Sequence, residues 1–356
     1  MNPKYPIGLV VFLAAVFLAP AMVAENGAAV LRSEFIYKEA PYPECHASTI
    51  AQTAEGGMVA AWFGGTKEKN PDVCIWVSRL ENDKWTEPVN VANGIQPDGT
   101  RHPTWNPVLF QPPGKNAPLI LYYKVGPSPQ KWWGMQMISK DGGRSWEEPA
   151  RLPEGILGPI KNKPVVLPDG TWISPSSTEA RRSDWRVHFE ISKDRGKTWR
   201  KAGPVKKGAG FDAIQPSILF MKDGRLEALC RTRQGVIAMT WSADNGETWS
   251  PLSALALPNP NSGTDAITLS DGRQLLIYNH SAHRVERSGW GVRHPLKLAL
   301  SDDGINWTPV LTLEDQPLRE GYAYPAIIQT SDGLVHITYT WDRKRIKYTV
   351  IDPSKL

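Results

Sequence analysis

One short segment recurs along the chain, and its spacing constrains the fold more than any other feature. SKDGGRSW begins at Ser139, SKDRGKTW at Ser192, SADNGETW at Ser242 and the one-residue-shorter SDDGINW at Ser301. A decayed copy, SRLENDKW from Ser78, keeps the Ser-to-Trp spacing and loses the glycine. Copies start 50 to 61 residues apart, the length of one small antiparallel sheet with its turns. Self-similarity at such a period is the mark of an array of supersecondary units. Within each copy, Asp and Ser can satisfy backbone amides, Gly takes the left-handed dihedral and Trp packs between units, so the motif identifies a scaffold.

A second series of turns interleaves with the first: Glu55-Gly56, Pro113-Gly114, Asp169-Gly170, Asp223-Gly224, Asp271-Gly272 and Asp332-Gly333. Most sit between apolar runs, as in VVLPDGTWIS and IQTSDGLVHITY, the pattern of a tight hairpin. Each unit therefore reads as four strands: strand, Asp-Gly turn, strand, long loop, strand, Ser…Trp turn, strand. Six such units predict an all-β chain, a six-bladed β-propeller of four-stranded blades over residues 30–356. An N-terminal strand near Phe35-Ile36 is expected to close the ring on the last blade. The 15 Trp, 30 Gly and 31 Pro suit this many-turned architecture and argue against a helical bundle.

Before the first unit lies a separate segment. Lys4 precedes an apolar run from Ile7 to Leu18, followed by small residues at Ala19, Ala21 and Ala24. This is the pattern of a secretory signal peptide, and it predicts that residues 1–24 are removed. The run is shorter than the ~20 residues of a spanning helix. A secreted or periplasmic product with no membrane segment after cleavage is expected, and a monomer. Cys45, Cys74 and Cys230 match no metal spacing and read as buried thiols. No cofactor is implied. The net charge is +5, but the basic residues are scattered, whereas a nucleic-acid surface concentrates them.

Strands alternate in direction, so both turn series fall on one face of the ring. The opposite face gathers the starts of the first strands and the long loops. It collects His46, Glu68 and Asp72 from blade one, and Arg101 and Trp105 from blade two. Glu179 and Trp185 come from blade three, Gln215, Arg231 and Arg233 from blade four, Asp265 and Arg293 from blade five. Tyr322, Tyr324 and Arg343 complete the set from blade six. First strands line the axis, so His46, Gln215, Asp265 and Tyr324 are expected to converge. Cations and aromatics in an axial funnel suit an anionic sugar, since a guanidinium grips a carboxylate in a fork and Trp stacks on a pyranose.

Together with the repeated turns, these residues resemble the sialidase (neuraminidase) family, the bacterial neuraminidase-repeat or Asp-box proteins, from about Ala40 to Asp352. The resemblance implies retaining exo-glycosidase chemistry with a Tyr nucleophile, a Glu beside it, three Arg on the substrate carboxylate and an Asp acid/base. EGYAYPAII resembles the nucleophile strand and gives Tyr324 that role, with Tyr322 as the fallback. LEALCRTR places the second family arginine on Arg231, and RHPLKLALSDDG places the third on Arg293. The first family arginine falls on His46 in CHASTI, and the Glu partner falls on Gln215 in AIQPSIL. Asp72 takes the acid/base position. Arg101, Trp105, Asp265 and Arg343 are further substrate-binding candidates.

The reading that follows is a secreted sialidase-like exo-glycosidase acting on a glycan with an acidic terminal sugar, sialic acid by default. Two alternatives stand beside it. His46 could act as general acid or base in hydrolysis or elimination of a uronic-acid-containing glycan. A propeller lectin could keep the funnel without catalysis.

Overall fold

The computed structural model describes residues 28–181, 184–282 and 290–356; the expected leader, residues 1–24, lies outside the described residues. Six antiparallel sheets follow one another along the chain. Their innermost strands are Glu44–Gln52, Thr104–Phe110, Val165–Val166, Ala213–Phe220, Asp265–Thr268 and Tyr322–Gln329. Five sheets have four strands in the expected order. In blade one the outermost strand is broken into Lys84–Trp85 and Val89–Ala92, both paired to Cys74–Glu81. The ring closes where expected: Val30–Phe35 pairs antiparallel with Arg345–Ile351 and completes the sixth blade. Among the described residues no helix is long and apolar enough to cross a membrane.

The Ser…Trp turns show why this sequence folds this way. In blade four, Ser242 Oγ accepts from the Gly246 amide at 2.9 Å, and Asp244 accepts from the Thr248 amide at 2.9 Å. Trp249 Nε1 donates back to the Gly246 carbonyl at 3.0 Å, and its ring stacks on Phe189 of blade three at 3.8 Å. Gly246 has φ +84°, and a Cβ there would lie 2.6 Å from Ile173 Cδ1, so the glycine serves both the dihedral and the blade–blade contact. In blade three, hydrogen bonds from the Thr198 hydroxyl and amide hold the Asp194 carboxyl down at about 2. The decayed copy solves the turn differently. Asn82 and Asp83 both have positive φ, 48° and 63°, the dihedral signature of a type I′ hairpin.

At the other end of the blades the inner strands share a distortion. Register breaks between His46 and Thr49, Trp105 and Val108, Ile214 and Ser217, and Ala323 and Ala326. Inside each break one residue is left-handed: Ala47, Asn106, Gln215 and Tyr324, with φ of 57°, 41°, 58° and 49°. Lys161 (72°) and Asn261 (58°) take the same conformation just ahead of the short inner strands of blades three and five. A bulge of this kind re-aims a side chain. Repeated around the ring, it turns one residue per blade away from the regular pleat at the mouth of the axis.

Candidate functional site

Gln215, Arg231 and Tyr324 meet on the floor of this mouth. Arg231 stands at the end of strand Leu226–Thr232 and is 2% exposed. Its Nη1 donates to Tyr324 Oη at 2.8 Å and to Gln215 Oε1 at 3.3 Å, while Nε donates to Asn261 Oδ1 at 2.8 Å. The Gln215 amide also donates to Tyr324 Oη, at 3.2 Å. Two donors therefore converge on the phenol oxygen. Aromatic rings surround the guanidinium: its centre lies 5.1 Å from the Trp290 ring, 5.4 Å from Trp185 and 5.7 Å from Tyr324, all within cation–π range.

His46 packs on the same tyrosine, ring centroids 4.2 Å apart. Burial, reinforced by Arg343, Arg293, Arg231 and Lys161, pushes its pKa well below the ordinary histidine value. The ring is therefore neutral at pH 7. Its buried Nδ1 makes no hydrogen bond among the described residues. Lys161 lies behind this floor. Its amine donates to the carbonyls of Thr264 and Pro325 and to Asn162 Oδ1, and burial pushes it down to about 7.

The floor opens into two adjoining cavities of about 520 and 750 Å³ that share Glu68, Lys69 and Trp290. Trp105, Trp185, Glu179, Arg231, Arg233 and Tyr324 line the first. Arg293, Arg319, Glu320 and Arg343 line the second. The Arg293 guanidinium lies 5.9 Å from the Trp290 ring and 5.8 Å from Tyr324, so Trp290 touches both arginines. Burial, with Arg231 adding repulsion, pushes Arg293 down to about 10. Such crowded, desolvated guanidinium groups favour an anion between them. Arg343 sits in a tight turn with Asp342, both at positive φ. It pairs with Glu68 at 2.8 Å and reaches Glu320 at 3.6 Å.

Four sequence candidates sit elsewhere. Asp72 does not line either cavity; its Oδ2 accepts from the amide and hydroxyl of Thr66 at 2.7 and 2.6 Å. The carboxyl ties together the ends of the blade-one loop, and that loop presents Glu68 and Lys69 to the site. Lys69 is left-handed, φ 83°. Arg101 is exposed and reaches the Asp72 carbonyl and Cys74 Sγ at 3.4 and 3.2 Å, outside both cavities. Asp265 lies lower on the axis. It accepts from Lys163 Nζ at 3.0 Å, Ser217 Oγ at 3.1 Å and the Ile327 amide at 3.0 Å, so it joins blades three to six and has no oxygen left for a ligand. Tyr322 is 1% exposed in the core of blades five and six, against Tyr339. Burial, with Glu314 nearby, pushes it up to about 12. Two residues apart on one strand, Tyr322 and Tyr324 would face the same way in a regular pleat, but the bulge between Ala323 and Ala326 breaks the two-residue period, so Tyr322 cannot stand in for Tyr324.

Trp290 escaped the sequence reading, since it follows no turn signal. The three cysteines are buried and free, and among the described residues no cluster of three or more His, Cys, Asp or Glu is placed to hold a metal.

A family model described as a BNR repeat-like domain matches residues 56–337. Among curated proteins the chain is 25% identical to an anhydrosialidase of Macrobdella decora over 233 residues, 58% of this chain and 30% of that protein. It is 29% identical to a sialidase of Clostridium perfringens over 136 residues, 33% of this chain and 35% of that protein. The chain thus spans about a third of the length of these curated relatives. Among solved structures, the Hadza microbial sialidase Hz136 superposes with a TM-score of 0.76 at 16% identity, covering 91% of this chain and 69% of that one. Likeness at that identity bears on the fold.

Proposed function

The chain belongs to the BNR repeat-like family, and from that premise we propose that it is an exported sialidase-like exo-glycosidase that removes a terminal carboxylated sugar from glycans. One observation carries the reading. Arg231, buried at the centre of the funnel, is hydrogen-bonded to the Tyr324 hydroxyl at 2.8 Å beside a cavity lined by aromatics and further cations. The sugar carboxylate would lie between Arg231 and Arg293, where two guanidinium groups face the same tyrosine. Tyr324 would then attack the anomeric carbon beside that carboxylate. A neutral nucleophile avoids the repulsion that a carboxylate nucleophile would meet there. Arg231 and Gln215 already donate to its oxygen, so a phenolate formed in the reaction keeps both hydrogen bonds. Gln215 accepts no proton, so the phenol must release its proton to solvent. His46, neutral and packed on the tyrosine ring, adds shape and no charge to the clamp.

The Gln215 amide favours a second reading, a binding propeller that holds an acidic sugar without turnover. A release screen on the purified protein with sialosides and uronic-acid-capped oligosaccharides separates the two. Free acidic sugar is the expected product. Binding without release supports the second reading, and neither binding nor release overturns both.

A further inference from the structure

We propose that Glu179 is the proton donor to the leaving group, an inference that rests on the hydrolase reading above. Four carboxyl groups compete for this role. Asp72 caps its own loop and lines neither cavity. Glu68 lines both, but its carboxylate is engaged by Arg343 at 2.8 Å. Glu320 lines only the second cavity, away from Tyr324, and faces Arg343 at 3.6 Å and Arg319 at 3.7 Å. Glu179 remains. It lies near the tip of the hairpin between strands Trp172–Arg181 and Asp184–Ser192, opposite Trp185 in the register. From there it lines the first cavity together with Trp185, Arg231 and Tyr324. Its carboxyl makes no ion pair within 4 Å among the described residues, although Arg181, Arg231, Arg233 and Lys69 line the same cavity.

The electrostatics agree with the geometry. Burial raises the Glu179 carboxyl above the ordinary range; Arg231 opposes this and Glu68 adds to it. A carboxyl raised by burial beside the site is the usual environment of a general acid. As the bond from the anomeric carbon to the glycosidic oxygen breaks, its electron pair stays on that oxygen, which takes the Glu179 proton. When water later attacks the anomeric carbon, the bond from that carbon to Tyr324 Oη breaks, its electron pair returns to the phenolate, and the Glu179 carboxylate recovers a proton from the water. The net change is addition of one water across one C–O bond.

The requirement for a proton depends on the leaving group, and that dependence is the test. Wild type, Glu179→Gln, Glu179→Asp and Glu68→Gln are assayed on two sialosides, sialyllactose and the 4-nitrophenyl glycoside, with the corresponding glucuronides in parallel. Glu179→Gln is expected to lose ~10²–10⁴-fold in kcat/KM on the sugar-leaving substrate. On the nitrophenyl glycoside, whose leaving group needs no proton, the loss should stay under about tenfold. Its kcat profile should also lose the alkaline limb, and Glu179→Asp should recover part of the lost rate. Equal losses on both substrates in Glu179→Gln, or the split appearing in Glu68→Gln instead, would overturn the assignment. Wild type inactive on all four glycosides would overturn the hydrolase reading itself, and so is told apart from a failure of Glu179 alone.

Discussion

The two ends of the blades obey opposite rules. At the turn end, blades two to five solve the same problem with the same residues: a Ser and an Asp closing on backbone amides and a left-handed Gly, with the Trp folded back onto that Gly in blades three to five. Those oxygens are occupied by their own loop. At the funnel end the backbone repeats and the side chains do not. Equivalent left-handed positions carry Ala47, Asn106, Lys161, Gln215, Asn261 and Tyr324. A non-Gly residue at positive φ costs of order 1–3 kcal/mol where the region is sparsely populated, and its recurrence with different side chains shows a scaffold that tolerates strain to aim chemistry. Repetition in this chain marks what holds the ring together, and departure from repetition marks the mouth of the funnel.

Substitutions can break that contrast. The largest effect is expected from Tyr324→Phe, which removes the oxygen that Arg231 and Gln215 both hold and that the proposed reaction uses as nucleophile; turnover on any released-sugar substrate should vanish while the melting temperature hardly moves. A Phe variant with wild-type turnover would end the tyrosine reading of the funnel. Arg231→Ala comes next. Loss of a buried charged hydrogen-bond partner costs roughly 1.5–3 kcal/mol, so affinity for the acidic sugar should drop about 10- to 100-fold by titration calorimetry. Lysine should restore little of it, since a point charge lacks the planar fork. The turn end should respond in stability alone. Glu227, fully buried beside Gly304 of the neighbouring turn, has both carboxyl oxygens without hydrogen-bond partners among the described residues. Burial, with Asp303 nearby, pushes it up to about 9. Well below pH ~4.5 the group is protonated in both folded and unfolded chains and adds no pH dependence to stability. As pH rises towards 9 only the unfolded chain ionises, so stability falls across that window. Glu227→Gln should therefore match wild type near pH 4 and exceed it by roughly 1–3 kcal/mol near pH 8, with KM unchanged. A pH-independent gap would mean the carboxyl is charged in the fold.

The same contrast explains what could be read from the chain alone. Turn motifs are local, so Ser139, Ser192, Ser242 and Ser301 declare the blades, and the closing strand at Val30–Phe35 follows from counting. A bulge leaves no comparable trace. Ala47, Gln215 and Tyr324 are not residues that favour the left-handed region, and nothing in YAYP announces that Tyr322 and Tyr324 part company. The loop of blade one hid a similar ambiguity: Glu68 and Asp72 both read as acids on the correct face, and only the fold reveals that Thr66 consumes Asp72. Asp265 was legible as axial, but not as the junction of four blades.

The smallest expected change is the most informative about Gln215. Its Oε1 lies 3.3 Å from Arg231 Nη1 and its Nε2 lies 3.2 Å from Tyr324 Oη. Gln215→Glu keeps the shape and inverts one polarity: the amide nitrogen that donates to the phenol is replaced by a carboxylate oxygen that can accept its proton. For a hydrolase this supplies the missing base, and kcat should hold or rise a few-fold. The new carboxylate also neutralises Arg231 from below, so the hold on an anionic sugar should weaken and KM should rise. These changes oppose one another, and kcat/KM should move by less than about tenfold. A binding protein has no kcat to raise, so there the substitution shows only as lost affinity. Increased kcat with increased KM would place the proton economy of the site at Gln215 and Tyr324. Unchanged kcat with raised KM would mean that phenol deprotonation does not limit turnover, and that the amide at this position serves the carboxylate clamp.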